Sequence, residues 1–338
     1  MRFSRNARAL AAMLAGGVAI LAASRFLPQR RIDGHSVFIT GGSRGLGLAL
    51  ALEYARRGAN VAVCARSAQA LERAAARIRE CGVRVLPVAC DVRDPADVER
   101  ALLSAYEEFG RLDILVNNAG TIRVGPFESM TREDYEDSLR THFWAMYHAV
   151  ESAIALFERR GGGRIVNITS IGGKVSVPHL LPYCVGKFAA VGYSEGLRSA
   201  LRRKNIAVTT VVPGLMRTGS PRNAWFKGRH RQEYAWFTLS DTLPMFSVAA
   251  RSAARTIVDG SLRGDPEVVV SLQAKAAVML EGVAPGLTLR ALEIADALLP
   301  RPGGIETQMA RGHESASAVT ESPITALGKK AERDFNQQ

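Results

Sequence analysis

A chain of 338 residues, 47% hydrophobic and 22% charged, is long enough to close a large α/β core and too apolar to be a disordered chain. Its 44 basic residues against 32 acidic ones leave a formal charge of +12, which suits an anionic cofactor or an anionic membrane surface. No nucleic-acid-binding module accompanies that charge and few aromatic residues interleave with the basic ones, so nucleic acid is set aside as a partner. The four cysteines, Cys64, Cys81, Cys90 and Cys184, lack metal-ligand spacing; no metal is expected, and they read as reduced apolar residues of an intracellular protein.

Residues 1–33 read as an appendage to the fold. Arg2, Arg5 and Arg8 precede an uncharged apolar run from Ala9 to Ala23, and Arg25, Arg30 and Arg31 follow it. The run is longer than a signal-peptide core and short for a full span, although Phe26 and Leu27 extend it if Arg25 snorkels. It reads first as a membrane anchor and second as a cleaved signal ending near Ala22-Ala23-Ser24. Arginines on both sides leave its orientation open.

From Ser36 onward strands and helices alternate. Val37 to Thr40 reads as a strand and Gly45 to Arg57 as a helix, followed by strand Val61 to Ala65, helix Ala68 to Glu80 and strand Val83 to Ala89. Asp94-Pro95 is an N-cap with proline at the first helical position, opening a helix to Phe109. Strand Leu112 to Val116 comes next. A capping-box pattern over Thr131 to Asp134 then opens a long helix to about Phe157. Strand Ile165 to Ser170, helix Tyr183 to Arg203, strand Val208 to Val212 and a last strand from Glu267 to Ser271 complete the series. Strands apolar throughout, separated by helices, predict a parallel sheet covered on both faces: a doubly wound Rossmann fold in one domain, residues 34–272. An apolar helical extension, residues 273–300, is broken by Pro285-Gly286 and reads as a membrane-lying hairpin or a dimer contact. Residues 301–338 are polar in composition and read as a loose tail.

Two stretches carry chemistry. After the first strand, Gly41, Gly45 and Gly47 stand in a Gly-x-x-x-Gly-x-Gly turn, where missing Cβ atoms let a pyrophosphate reach the backbone and the helix N-terminus. Further on, Tyr183 and Lys187 share one helical face a turn apart, so an ammonium beside the phenol is expected to lower its pKa toward working pH. The second strand ends in Cys64-Ala65-Arg66-Ser67 without the acid that would bind a ribose 2′-hydroxyl, whereas Arg44 and Arg66 form a pair suited to a 2′-phosphate.

The Gly turn, Asn117-Asn118-Ala119-Gly120, Ser170 and the Tyr183/Lys187 pair, in this order and at these separations, resemble the short-chain dehydrogenase/reductase family over roughly Gly34 to Gly264. The resemblance implies an oxidoreductase of CH–OH groups and carbonyls. Combined with the two arginines, it implies NADP(H) as cofactor. Tyr183 would be the acid/base, Lys187 its tuner and ribose anchor, and Ser170 the hydroxyl holding the carbonyl oxygen. Ser43, Arg44, Leu46 and Gly47 would line the phosphates with Gly41 and Gly45. Asp91 and Val92 would meet the adenine, and Asn117, Asn118, Ala119 and Gly120 the ribose and the central strand. Pro213, Gly214 and Thr218 would receive the carboxamide. The chain departs from the family at His142, where an asparagine usually holds a water in a relay with the lysine. Either the imidazole takes that role, bringing its own titration into the pH profile, or it is a packed helix residue.

Residues 219–247 fall where the family places its substrate lid. Trp225, Phe226, Tyr234, Trp236, Phe237, Leu239, Leu243, Met245 and Phe246 predict a lipophilic small-molecule substrate, or a lid packed on itself. Arg222, Lys227, Arg229 and Arg231 add an anionic head group or a membrane surface as possible contacts. A homo-oligomer is implied by the family's habit of pairing long helices. The expected location is a membrane with the catalytic domain on its cytoplasmic side, or the cytoplasm if residues 1–33 do not insert. A non-catalytic nucleotide-binding protein on the same scaffold is the competing reading; the intact Ser170, Tyr183 and Lys187 weigh against it.

Overall fold

The computed structural model describes residues 30–338; the anchor-or-signal reading of the N-terminal segment falls almost wholly outside them. The fold begins two residues earlier than expected, because Ile32 is buried in the core and its N–H donates to the Arg57 carbonyl.

Strand β1 (Ser36–Thr40) is buried along its whole length and feeds α1 (Gly45–Arg56). Then come β2 (Asn60–Ala65), α2 (Ala68–Arg79), β3 (Val85–Ala89), α3 (Pro95–Phe109), β4 (Ile114–Asn117) and the short β5 (Arg123–Val124). Helix α4 (Arg132–Leu139) runs through a π-helical turn, Arg140–Trp144, into α5 (Ala145–Glu158). The order continues with β6 (Gly163–Ile168), α6 (Leu181–Ala200), β7 (Ile206–Val212), β8 (Leu215–Arg217) and β9 (Trp225–Phe226). It ends with α7 (His230–Thr242), β10 (Ser247–Ala249), α8 (Ala250–Arg263), β11 (Glu267–Val269), α9 (Leu272–Val283), α10 (Pro285–Ala297), β12 (Ala310–Arg311) and α11 (Ala326–Asp334).

Seven strands form one sheet in the order β11-β7-β6-β4-β1-β2-β3, every neighbouring pair parallel. Crossovers therefore put helices on both faces. Helices α1, α2 and α8 cover one face through Leu48, Leu50, Leu71 and Ile257, and α3, α5 and α6 cover the other through Leu102, Val150, Phe157 and Ala190. The expected caps form: Asp94 accepts from the Ala96 N–H at 2.9 Å, and Thr131 and Asp134 make a capping box; Gly110, in the left-handed region, closes α3. The buried Arg57 is held by Glu53 and by Asp259 at 2.7 Å, which satisfies its charge where burial alone would be costly.

The structure corrects two expectations here. Residues 301–338 are not loose. Strand β12 pairs antiparallel with β9, and α11 sets Ala331 and Phe335, four residues apart, on one face against the main core. Polar composition concealed this because two apolar residues at helical spacing suffice as an anchor while the surrounding polar side chains bond to the domain. Lys227, expected on a basic surface of the lid, is buried and paired with Asp134, so it is not available to an anionic head group.

Helices α9 and α10 form a hairpin broken at Ala284, as Pro285-Gly286 suggested, and leave Met279, Val283, Ile294 and Leu298 largely exposed. Among the described residues no helix is long and apolar enough to cross a membrane.

Candidate active site

Parallel strands deliver their carboxyl ends to one edge of the sheet. The segments following β1, β4, β6 and β7 meet there around a cleft of about 1090 Å³. The turn after β1 is cut to fit a backbone-seeking ligand. Gly45 has φ +58°, in the left-handed region that glycine tolerates, and a Cβ on Gly47 would lie 2.2 Å from the Gly41 carbonyl oxygen. Any side chain at either position would close the turn.

Gly41, Ser43, Arg44, Gly45, Leu46 and Gly47 line the cleft, as do Arg66, Asp91, Val92, Asn118, Ala119, Gly120, Pro213, Gly214 and Thr218. Asn117 does not. It points into the sheet, where its amide donates to Asn167 at 2.9 Å and Asn167 donates in turn to Ser194, tying β4 to β6 and α6. Its neighbour Asn118 braces the glycine turn instead, donating to the Thr40 and Gly41 carbonyls at 3.0 and 3.1 Å. Asp91 spends its carboxylate on Arg93, whose hydrogen bond holds it below the usual carboxylate range. Among the described residues neither Arg44 nor Arg66 makes a salt bridge. Desolvation and the neighbouring Arg66 both push the Arg44 guanidinium down, as expected of two cations facing one space.

Ser170, Tyr183, Lys187 and His142 converge at the other end of the cleft. Ser170 leaves β6 in extended conformation; its Oγ accepts from the Gly172 N–H at 3.0 Å, and Ser170 and Tyr183 both line the cleft. Lys187 lies one turn along α6 from Tyr183, buried, with Nζ donating to the Ile168 carbonyl at 2.9 Å and standing 5.8 Å from the Tyr183 ring centre.

The electrostatics overturn one expectation. Desolvation raises the Tyr183 hydroxyl to about 12, with the Ser170 side chain opposing it, and burial lowers Lys187 to about 7. The lysine's cation does not pull the phenol down, because the site that buries Lys187 also removes much of its charge near neutrality.

His142 sits in the π-helical turn, edge-on to Tyr183 with ring centres 5.2 Å apart. A carbonyl can only accept, so the 2.9 Å contact to Thr121 assigns the proton to Nε2. Nδ1 is left with a buried lone pair and no hydrogen-bond partner. Burial first, then Lys187, holds the imidazole well below its ordinary pKa of 6.5. It is neutral near neutral pH, so in the relay reading its own titration falls below neutrality. A small cavity of about 10 Å³, the scale of one water, is shared by His142, Lys187, Asn117 and Thr141.

The lid is fastened over the site. Phe226, Tyr234 and Phe237 pack with Val124 and Leu180, and buried Glu233 on α7 accepts from His179 Nδ1 at 2.9 Å and from Trp236 at 2.7 Å. Trp225, Trp236 and Phe237 still present surface to the cleft. Three cleft residues had no signal in the sequence. Asp241 is a buried acid raised to about 8 by desolvation, so it keeps its proton near neutral pH. Arg311 lies 3.5 Å over the Trp225 ring and within the field of Arg44 and Arg66. Gln337 reaches the Gly45 wall from a segment that carries no motif.

A family model described as short chain dehydrogenase matches residues 35–226, more than half of the chain. The chain is similar to a D-threitol dehydrogenase of Mycolicibacterium smegmatis, 33% identical over 195 residues, which are 58% of this chain and 75% of the relative. It is also similar to human (Homo sapiens) 17-beta-hydroxysteroid dehydrogenase 13, at 28% identity over 298 residues, covering 86% of this chain and 90% of that one. Among solved structures, levodione reductase superposes with a TM-score of 0.63 at 25% identity, covering 73% of this chain and all of that chain.

Proposed function

Because the chain belongs to the short-chain dehydrogenase family, an oxidoreductase family of the alcohol–carbonyl couple that uses nicotinamide cofactors, we propose that it is an NADPH-dependent reductase of a lipophilic ketone or aldehyde, reversible as an alcohol dehydrogenase. The observation that carries this reading is the placement of Ser170, Tyr183 and Lys187 in the same cleft as the glycine turn and the Arg44/Arg66 pair.

The residues fit a dinucleotide. Gly45 in the left-handed region and Gly47 against the Gly41 carbonyl form a turn that only glycines can make, and Arg44 and Arg66 offer two guanidiniums to a 2′-phosphate where an NAD-selective site would carry an acid. When bound, the nicotinamide supplies the hydride. The protein's own part is to handle the proton and the charge. Ser170 Oγ and the Tyr183 hydroxyl hold the carbonyl oxygen, and stabilise negative charge as it develops there. With a pKa near 12, Tyr183 arrives protonated and is poised to donate, which favours reduction. Lys187, ionising at about 7, positions the ribose and restores the phenol's proton. His142 and Lys187 both line the water-sized cavity and His142 Nδ1 has no hydrogen-bond partner, which supports a relay in which the imidazole takes the acceptor role of the usual asparagine.

Lipophilic selectivity is supported by Trp225, Trp236 and Phe237 along the cleft. Contact with a membrane surface is supported by the exposed apolar residues of α9 and α10, a hairpin that leaves the sheet at the active-site edge. Pairing of two copies is supported by Trp144 and Phe188, exposed on the long helices. The test of the function is NADPH consumption over ketones and aldehydes of graded hydrophobicity. Turnover rising with substrate hydrophobicity is expected; no turnover on any, or preference for NADH, would refute the reading.

His142 supplies a separate check. The folded state refuses a proton that the unfolded chain accepts below about pH 6.5, so its contribution to stability is full above that pH and is lost as pH falls toward the folded value. Thermal melts taken from about pH 7.5 to 5 should show a decline that is shallower in His142→Asn. Parallel declines would mean that His142 is not the group responsible.

A further inference from the structure

Residues 335–338 occupy the glycine turn. Phe335, buried against the main core, presents its carbonyl to the Gly45 N–H at 2.8 Å. That amide belongs to the first turn of α1, where N–H groups lack intrahelical partners and the helix dipole is positive, the place a phosphate oxygen takes in a dinucleotide fold. Next, the Asn336 amide donates to the Ser43 carbonyl at 2.7 Å and the Ala70 carbonyl at 3.0 Å, and its oxygen accepts from Arg73 at 2.8 Å. Then the buried Gln337 side chain spans the cleft. It touches the Gly45 wall so closely that a Cβ there would lie 2.9 Å from its Nε2, and it donates to the Thr218 carbonyl at 3.1 Å on the opposite wall. Asn223 fastens it from the lid side, donating to its backbone and side-chain oxygens at 2.9 and 2.8 Å.

The two walls bridged by Gln337 are the ones between which the phosphates and the nicotinamide half must pass. We propose that residues 335–338 are a tethered competitor of the dinucleotide: the segment and the cofactor's phosphates are alternative occupants of the turn, and the cofactor binds only to the fraction of molecules in which the segment has swung out. The segment is built to swing. Phe335 is its apolar anchor, and Asn336, at φ +57°, holds a left-handed conformation that an L residue gives up readily. Its contacts to the turn itself are neutral hydrogen bonds, the charged ones coming from Arg73 on α2, whereas a pyrophosphate at the Gly45 amide brings charge. A ligand that binds only the open fraction shows an affinity reduced by that fraction, so removing the segment tightens binding by the same factor.

This inference rests on reading the Gly turn as the dinucleotide site, and the test separates the two. NADP+ is titrated into the full chain and into a chain ending at Asp334, which takes the Phe335 carbonyl off the Gly45 amide and keeps Ala331 in the core, with the fluorescence of Trp225 and Trp236 as the signal. The shortened chain is expected to bind about tenfold tighter or better, and Gln337→Ala several-fold tighter. In hydrogen exchange of the full chain, NADP+ is expected to speed exchange over residues 326–338. Equal or weaker binding by both altered chains, or protection of that segment by NADP+, would overturn the competitor and leave the cofactor site standing. Failure of both the full and the shortened chain to bind would overturn the dinucleotide reading and this one with it.

Discussion

Tyr183→Phe is expected to lower turnover by roughly 10²–10⁴-fold while changing NADP+ affinity by no more than about threefold. The substitution deletes one oxygen and keeps the ring that packs edge-on against His142. What is lost is the only phenolic proton among the described residues that lines the cleft together with Ser170. The developing oxyanion then has Ser170 alone, and no donor completes the alcohol. Because the hydroxyl sits near 12, the loss should be fully visible at neutral pH in the reducing direction, where the phenol is protonated in the wild type. Steady-state kinetics in parallel with a binding titration separate the two effects. A variant as active as the wild type would place the proton donor elsewhere, with Asp241, which keeps its proton near neutrality, the first residue to test.

Arg66→Ala is expected to raise KM for NADPH by roughly tenfold to a hundredfold and to leave KM for NADH nearly unchanged. Arg44 and Arg66 face one space, neither is in a salt bridge among the described residues, and after desolvation the repulsion from Arg66 is what depresses the pKa of Arg44. A dianionic 2′-phosphate relieves that repulsion, and a hydroxyl does not. Both side chains are open to solvent, so the preference for NADPH should weaken as salt is added. Kinetics with the two cofactors, at low and raised ionic strength, provide the measurement. Equal loss for NADPH and NADH would mean that Arg66 supports the adenosine generally and does not read the phosphate.

The sheet and the turn were legible because their physics is local. Parallel strands buried on both faces must be apolar runs such as Ile114–Asn117, and a turn that admits a phosphate must lack Cβ atoms at Gly45 and Gly47. The convergence of Ser170, Tyr183 and Lys187 was legible through spacing on strand and helix. Depth was not. Spacing pairs Tyr183 with Lys187 but cannot say that the site is dry enough to raise one and neutralise the other. The π-helical turn that aims His142 at Tyr183 leaves no mark in a residue pattern read for α-helix. Asn117 and Asn118 were not separable because one residue of register turns a side chain from the sheet to the cleft. The return of residues 301–338 was invisible for a different reason: it gives the main core only Ala331 and Phe335 among the described residues, and its other contacts are a two-residue ladder and polar side chains whose partners, such as Ser43 and Thr218, lie far away in the chain.

The central claim is that a carbonyl held by Ser170 and Tyr183 receives hydride directly from a reduced nicotinamide lying in the same cleft. NADPH carrying deuterium at C4, prepared separately in each of its two stereochemical forms, should be incubated with the full chain and a ketone it turns over, and the alcohol analysed by mass spectrometry. One of the two forms should place deuterium on the carbinol carbon and the other should not. Deuterium from both forms alike, or alcohol formed without deuterium from either, would contradict the geometry proposed for this cleft.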